Sequence, residues 1–259
     1  MKRTVFTLLA LFGAVLSVFS QDAAAIVSAS RNRIKAATVS TRIRMLTTAR
    51  DGSTREQMLD QYSKDNASGE SRAVIVFQRP PSVRGTRFLT LENKGRGNDQ
   101  WIFLPALGKV RRISSSEGSD SFMGTDFSYD DIASASRDAD LDTHSLAGEE
   151  AYNGIACYVI ESRPKDGSYQ YSRMVQWIGK ESEINYKLEL YNRRGALVKT
   201  VEMSGIKDVQ GWPTVHVTKM TTLAGGTSTS LVTDIIKYDD PIPESVFTTG
   251  YLETGRAAR

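Results

Sequence analysis

Apolar and polar residues alternate along most of the chain, which is the pattern of strands that lie half-buried in a β-sheet. Thr38 to Thr48 is rich in β-branched residues and alternates, so we predict a strand there, followed by a turn at Asp51-Gly52. Ala73 to Phe77 is apolar at every position and must be covered on both faces. Further strands are predicted at Arg87–Leu91, Gln100–Leu104 and Lys109–Ile113.

The second half of the chain is punctuated by glycines every 12 to 16 residues, and each interval fits one strand and a hairpin turn. In Tyr186–Leu190 the pattern places Tyr186, Leu188 and Leu190 inward and turns Lys187 and Glu189 to water. No alternation of strands and helices is present, which argues against a parallel sheet. We therefore predict a mainly antiparallel β-protein.

Residues 114–136 interrupt this pattern. The segment is rich in Ser, Asp and Gly, yet it carries the large apolar residues Phe122, Met123, Phe127, Tyr129 and Ile132. Polar loops rarely display so much apolar surface. We predict a loop with short helical turns that folds onto the sheet.

The N-terminus has the form of a secretory signal peptide. A basic start at Lys2 and Arg3 precedes an uncharged run from Val5 to Phe19, and the small Ser20 ends a cleavage-like site. We predict that residues 1–20 are a signal peptide cleaved near Ser20. The alternative is an uncleaved membrane anchor, for which the run is of marginal length.

Beyond this site, Asp22 can cap a helix that we predict over Asp22–Lys35. No cysteine stands near the cleavage site, which excludes a bacterial lipoprotein anchor and favours an exported protein without a lipid anchor. Cys157 lies in the apolar run Ile155–Ile160 and is predicted to be a small buried residue.

The composition and charge of the chain argue against several classes of protein. The 259 residues carry a net charge of +3, with one Cys and two His. The charge is too small to favour nucleic-acid binding, and the Cys and His counts argue against disulfides, zinc clusters and Cys/His proteases. No motif of a hydrolase or nucleotide-binding enzyme is present. We expect one domain over residues 21–259, no cofactor and no enzymatic activity.

Two clusters of charged residues are candidate sites. Asp138, Asp140, Asp142 and Glu149 match positions 1, 3, 5 and 12 of a calcium loop, but Thr143 stands where the turn needs Gly, so the alternative is an acidic surface loop.

The second cluster, Lys109, Arg111 and Arg112, lies close to Trp101 and Phe103. It fits an outward strand face or a basic rim that meets anionic lipid or a partner. The apolar excess in the strands fits either a plain core or the wall of a ligand cavity, and alternation alone does not separate the two.

Several long motifs resemble one bacterial family. They are residues 85–89, 100–113, 121–131, 156–160, 171–177 and 243–247, followed by Tyr251-Leu252. With them, the chain from about Ala23 to Leu252 resembles the outer-membrane lipoprotein-sorting proteins, which are LolA-like periplasmic carriers.

The resemblance implies an α+β fold that is mainly β: a curved antiparallel sheet forming an incomplete β-barrel, covered by an N-terminal helix and a helical or loop lid. It also implies a periplasmic carrier that binds a lipid or lipoprotein acyl chain and shuttles it between an inner-membrane exporter and the outer membrane. Exporters of the resistance-nodulation-division type are associated with this branch. The alternative is a non-carrying envelope interaction protein, such as a stress sensor or an accessory subunit of an exporter, with the same fold.

A carrier of this kind needs an apolar cavity and a movable cover, because each buried methylene contributes roughly 0.8 kcal/mol. Phe122 and Met123, beside Gly124, are predicted to form the cover, and Phe122→Asp or Phe127→Asp is expected to weaken lipid binding while the sheet still folds. The predicted cavity or lid residues are Leu89, Trp101, Phe103, Leu104, Phe122, Met123, Phe127, Tyr129 and Trp177.

Overall fold

The computed structural model describes residues 22–133 and 139–257. Within these residues the chain forms three α-helices and fifteen strands. The helices are α1 (Ala23–Arg31), α2 (Tyr129–Ala133) and α3 (Thr249–Thr254). The strands are β1 (Thr38–Thr48), β2 (Thr54–Asp65), β3 (Ser71–Arg79), β4 (Arg87–Asn93), β5 (Arg96–Leu104), β6 (Lys109–Arg112), β7 (Asp142–Tyr152), β8 (Ile155–Pro164), β9 (Tyr171–Gly179), β10 (Asn185–Asn192), β11 (Leu197–Ser204), β12 (Lys207–Val209), β13 (Trp212–Thr214), β14 (Val217–Thr222) and β15 (Thr227–Tyr238). Residues 1–20, the predicted signal peptide, lie outside the described part.

Thirteen of these strands form one curved antiparallel sheet, in the order β6-β5-β4-β3-β2-β1-β15-β14-β11-β10-β9-β8-β7. β12 and β13 form a separate hairpin. The sheet does not close into a barrel, because β6 and β7 are its two edges although they follow each other in the chain. The antiparallel fold predicted from the alternation is confirmed.

Two parts of the chain cover the same face of this sheet, which we call the inner face. Residues 113–133 pack on it through Phe122, Phe127 and Tyr129, and α1 packs on it through Ala23 and Val27. The prediction that the polar segment folds onto the sheet is confirmed for residues 114–133, which contain a 3-10 turn at Ser115–Glu117 and α2. Residues 134–136 lie outside the described part.

The opposite, outer face is covered on one half of the sheet only. Residues 242–252 pack there, with Ile242, Phe247 and Leu252 against Val74 and Leu89. On β3, Ile75 and Phe77 point instead to the inner face, where they pack in the same cluster as Phe122. The prediction that Ala73–Phe77 is covered on both faces is therefore confirmed.

Helix α1 begins as predicted but is shorter. The Asp22 carboxylate accepts a hydrogen bond from Ala24 N at 3.0 Å and caps the helix. The helix ends at Arg31 rather than Lys35, because Asn32 leaves helical geometry and bonds back to Ser28 through its backbone N–H and its side chain.

The inward direction predicted for Tyr186 is wrong. The pairing of β10 with β9 is irregular between Asn185 and Lys187, and such a shift moves a side chain to the other face. Tyr186 therefore packs on the outer face beside Cys157 and Trp177. Lys187 points to that face too, but its Nζ lies over the Trp177 ring at 4.1 Å from the centroid rather than in open water.

Candidate functional site

The inner face of the sheet leaves space for a ligand. Between α1 and the sheet lies a cleft of about 800 Å³, a volume within the range of small-ligand pockets. Its lining includes Ala25 and Ser28 of α1, Val39 of β1, Ser63 of β2 and Tyr238 of β15. Val39 and Ser63 stand directly opposite each other in the ladder of β1 and β2, so they mark one wall of this cleft.

Elsewhere on the inner face, several apolar side chains stay partly exposed. They are Met174 on β9, Leu188 on β10, Met203 on β11 and Leu231 on β15. All four pack against the buried cluster of Phe127, Leu190, Val201 and Met220. Methionine is flexible and polarizable, so such a surface adapts to apolar ligands of different shape.

The segment 113–133 closes the other part of the inner face and is held by aromatic packing. Phe122 is fully buried, and its ring centroid lies 5.9 Å from Phe77, 5.2 Å from Phe88 and 5.5 Å from Tyr129. These are the tilted and edge-on arrangements that aromatic rings prefer. Phe122 is therefore part of the core, and its neighbour Met123 is only partly buried.

Two buried carboxylates also tie this segment to the sheet. The Asp126 carboxylate accepts hydrogen bonds from the hydroxyls of Thr227 and Thr229 on β15, the latter at 2.7 Å. The Asp131 carboxylate accepts hydrogen bonds from Lys199 Nζ at 2.8 Å and from the Tyr171 hydroxyl at 2.9 Å. Burial and the Asp131 charge raise the pKa of Tyr171 far above its usual value. The phenol therefore stays protonated and remains a donor.

A further cap fixes the start of the segment. The Glu117 carboxylate accepts hydrogen bonds from the backbone N–H and the hydroxyl of Ser114 and from Arg111 Nη1 at 2.6 Å. These contacts lower the pKa of Glu117 from 4.5 to about 2. The turn is thus held by an ionised carboxylate at neutral pH.

A polar chain crosses the inner face from β7 to β10. His144 bonds Ala139 O through one ring nitrogen and the Ser162 hydroxyl through the other, at 3.1 and 2.7 Å. Gln176 Nε2 donates to the Ser162 hydroxyl and its Oε1 accepts from Asn185 Nδ2. His144 also lines the cleft, which therefore has polar as well as apolar walls.

The structure does not bring the nine predicted cavity or lid residues together. Leu104, Phe122, Met123, Phe127 and Tyr129 lie on the inner face. Leu89, Trp101 and Phe103 lie on the outer face, in or against the cluster formed with the C-terminal residues, and Trp177 lies on the outer face with Cys157 and Val175.

Sequence reasoning missed Val39, Ser63, Met174, Met203 and Leu231 as inner-face positions. Each lies on an alternating strand, so the pattern predicts that its side chain points to one face of a sheet. The pattern does not indicate which of the two faces is the inner one.

The calcium-loop spacing gains no support. Among the residues that the structure describes, no group of three His, Cys, Asp or Glu side chains is placed to hold a metal ion. Asp138 lies outside the described residues. The Glu149 carboxylate pairs with Lys180 Nζ, and Asp142 is buried at the start of β7.

Cys157 is buried and unpaired with another cysteine, as predicted, and burial raises the pKa of its thiol. No helix within residues 22–133 and 139–257 has the length and apolar character to cross a membrane.

We compared this chain with protein families and with curated proteins. A protein-family model whose description reads "Uncharacterized protein" matches residues 69–254, which is more than half of the chain. No curated protein matches the sequence.

Solved structures match almost the whole chain. An outer membrane lipoprotein-sorting protein domain from Vibrio parahaemolyticus is 27% identical with a TM-score of 0.84, over 89% of this chain and 98% of that one. A DUF1329 family protein from Desulfovibrio piger is 29% identical with a TM-score of 0.84, over 89% and 97%. A LolA superfamily protein from Nitrosomonas europaea, at 21% identity and a TM-score of 0.71 over 89% and 99%, shares the fold.

Proposed function

This chain belongs to the LolA-like family of outer-membrane lipoprotein-sorting proteins, and we propose that it is a periplasmic carrier of a lipid or of a lipoprotein acyl chain. The carrier takes its cargo from an inner-membrane exporter and releases it toward the outer membrane. An exporter of the resistance-nodulation-division type is the proposed partner. The cargo is bound on the inner face, beneath α1.

One observation carries this proposal: a cleft of about 800 Å³ lies between α1 and the inner face, and the same face keeps Met and Leu side chains partly exposed. A sheet that served only as a scaffold would pack such side chains to the density of an ordinary core. Apolar surface kept from close packing gains most when an apolar ligand covers it, at roughly 0.8 kcal/mol for each buried methylene.

The two segments that cover the inner face differ in how firmly they are attached to the sheet. Residues 113–133 are fixed by the aromatic cluster around Phe122 and by the buried Asp126 and Asp131. Helix α1 contacts the sheet through a smaller cluster, Ala23 and Val27 against Ile160 and Ile178. We therefore propose that α1, rather than Phe122 and Met123, moves to admit the cargo.

Filling the cleft tests this proposal. Ser63→Trp places a bulky ring against Val39 inside the cleft, and we expect it to reduce the uptake of a fluorescent fatty acid at least tenfold. Ser40→Trp is the matched control, because Ser40 follows Val39 on β1 and points to the opposite face. Thermal unfolding of both variants checks that the sheet is intact.

Equal uptake by Ser63→Trp, Ser40→Trp and the unmodified protein would contradict a carrier that uses this cleft. A folded protein that takes up no lipid in any form would instead support a non-carrying interaction protein of the same fold.

A further inference from the structure

Six hairpin turns gather at one end of the sheet. In an antiparallel sheet every second connection lies at the same end, and β1 and β15 pair so that the end of β1 lies beside the start of β15. The turns at residues 49–53, 80–86, 105–108, 165–170, 193–196 and 223–226 therefore share one end. We call this the turn end.

The turn end carries exposed cations that have no ion-pair partner among the described residues. They are Arg50, Arg79, Arg84, Lys109, Arg193 and Arg194. Elsewhere in the described chain many arginines are paired, as Arg42 is with Asp60, Arg44 with Asp234 and Arg173 with Glu161. Unpaired cations gathered at one end leave a positive surface there.

Several carboxylates lie at the same end. Asp140 and Asp142 stand where β7 begins, beside the turn 165–170, and Asp126 bonds Thr227 and Thr229 at the start of β15. Asp51 and Asp166 lie in turns of the same end, and each accepts a backbone N–H within its own turn, from Ser53 and Ser168. Glu56 is exposed near the start of β2, and Lys165 adds a cation whose Nζ donates to Asp140 O at 2.6 Å. The exposed side chains at the turn end still carry more positive than negative charge.

Two large apolar side chains project from the same end. Leu107 is 64% exposed in the turn between β5 and β6, and Leu223 is 46% exposed in the turn between β14 and β15. Six strand spacings separate the two turns along the sheet order, which is about 29 Å at the usual spacing of neighbouring strands. Arg50 lies against Gly226 in the turn of Leu223, so apolar and basic groups are neighbours.

We propose that the turn end docks on a bilayer surface rich in anionic lipid. The six cations would contact lipid phosphates, while Leu107 and Leu223 enter the interface between headgroups and acyl chains. Two leucines on separate turns fit a flat, deformable surface better than the continuous apolar patch of a protein interface. The 800 Å³ cleft is lined by turn residues of the opposite end, such as Asp65, Gly69 and Lys94, and also by Asp140, which Lys165 contacts at the turn end.

Vesicle sedimentation tests this inference with the mature protein purified from the periplasm. We expect binding to equimolar phosphatidylglycerol and phosphatidylcholine, and far weaker binding to phosphatidylcholine alone. Arg193→Gln with Arg194→Gln should weaken binding about 25-fold, since one cation near an anionic surface is worth about fivefold. Leu107→Ser with Leu223→Ser should weaken binding to the same vesicles at unchanged charge.

Ile206→Ser with Lys207→Gln is the matched control, because this exposed apolar and basic pair lies beyond the other end of β11. It should bind like the unmodified protein. Equal binding to both vesicle types, no binding to either, or equal losses in the control would overturn the inference. The inference does not rest on the carrier function, since fatty-acid uptake by the turn-end variants is measured separately and should stay unchanged.

Discussion

Lys199 on β11 donates a hydrogen bond to the carboxylate of Asp131 on α2 across 2.8 Å, and the side chains are only 16% and 5% exposed. This buried pair joins the segment that covers the inner face to the far half of the sheet. Tyr171 and Gln170 donate hydrogen bonds to the same carboxylate, so this buried negative charge has three side-chain donors around it.

Removing one member of this pair should destabilise the fold strongly. Asp131→Ala leaves the Lys199 charge buried without its partner, and we expect a loss of about 3–5 kcal/mol in the free energy of unfolding. Asp131→Leu combined with Lys199→Met should lose less than Asp131→Ala alone, because no unpaired charge remains. Urea unfolding of both variants measures the difference. A double variant at least as unstable as Asp131→Ala would contradict the coupling.

Phe122→Ala should cost about 3–5 kcal/mol, because a fully buried ring in contact with Phe77, Phe88 and Tyr129 leaves a cavity when it is removed. Phe122→Asp should be worse still, since it buries a charge. Thermal unfolding checks both variants. If Phe122→Asp kept normal stability and lost only fatty-acid uptake, Phe122 would be a lid residue rather than part of the core.

Gly118→Ala should destabilise the covering segment. A Cβ at Gly118 would lie 2.6 Å from the carboxylate oxygens of Asp130, so that side chain or the turn must move. We expect a loss below the roughly 1–3 kcal/mol usual for overpacking, because the Asp130 carboxylate is the end of a flexible side chain. Gly97→Ala is the control, since a Cβ there has no neighbour within 4 Å. Equal unfolding midpoints for the two variants would count against this placement of Asp130.

The cap at Glu117 should titrate at low pH. Its pKa is lowered from 4.5 to about 2, so the stabilisation it contributes is present above pH 4.5 and is lost as the pH falls toward 2. A carbon-detected NMR titration should give a midpoint near 2 for Glu117 and a higher midpoint in Arg111→Gln. A midpoint near 4.5 in the unmodified protein would show that the cap is not formed.

The sequence was sufficient for the strands but not for their faces. β1 appears over the predicted residues, because β-branched alternation is a local property. The outer position of Leu89, Trp101 and Phe103 depends on residues 242–252, which pack there from the far end of the chain. When a strand is apolar on both faces, its own sequence does not indicate which face a distant segment will cover.

The candidate site was predictable only in part for a similar reason. The pattern showed that residues 114–136 must be buried on the sheet, and residues 114–133 are. Their anchors, Asp126 on Thr229 and Asp131 on Lys199, join residues that are far apart in the chain. The irregular pairing at Tyr186 also breaks the two-residue period that the prediction assumed.

Native mass spectrometry of the protein, purified gently from its native host and followed by lipid extraction, tests the carrier function most directly. The account predicts a lipid or acylated peptide bound in near-stoichiometric amount and absent from Ser63→Trp. A clean mass without ligand, together with no uptake of added lipids, would contradict it.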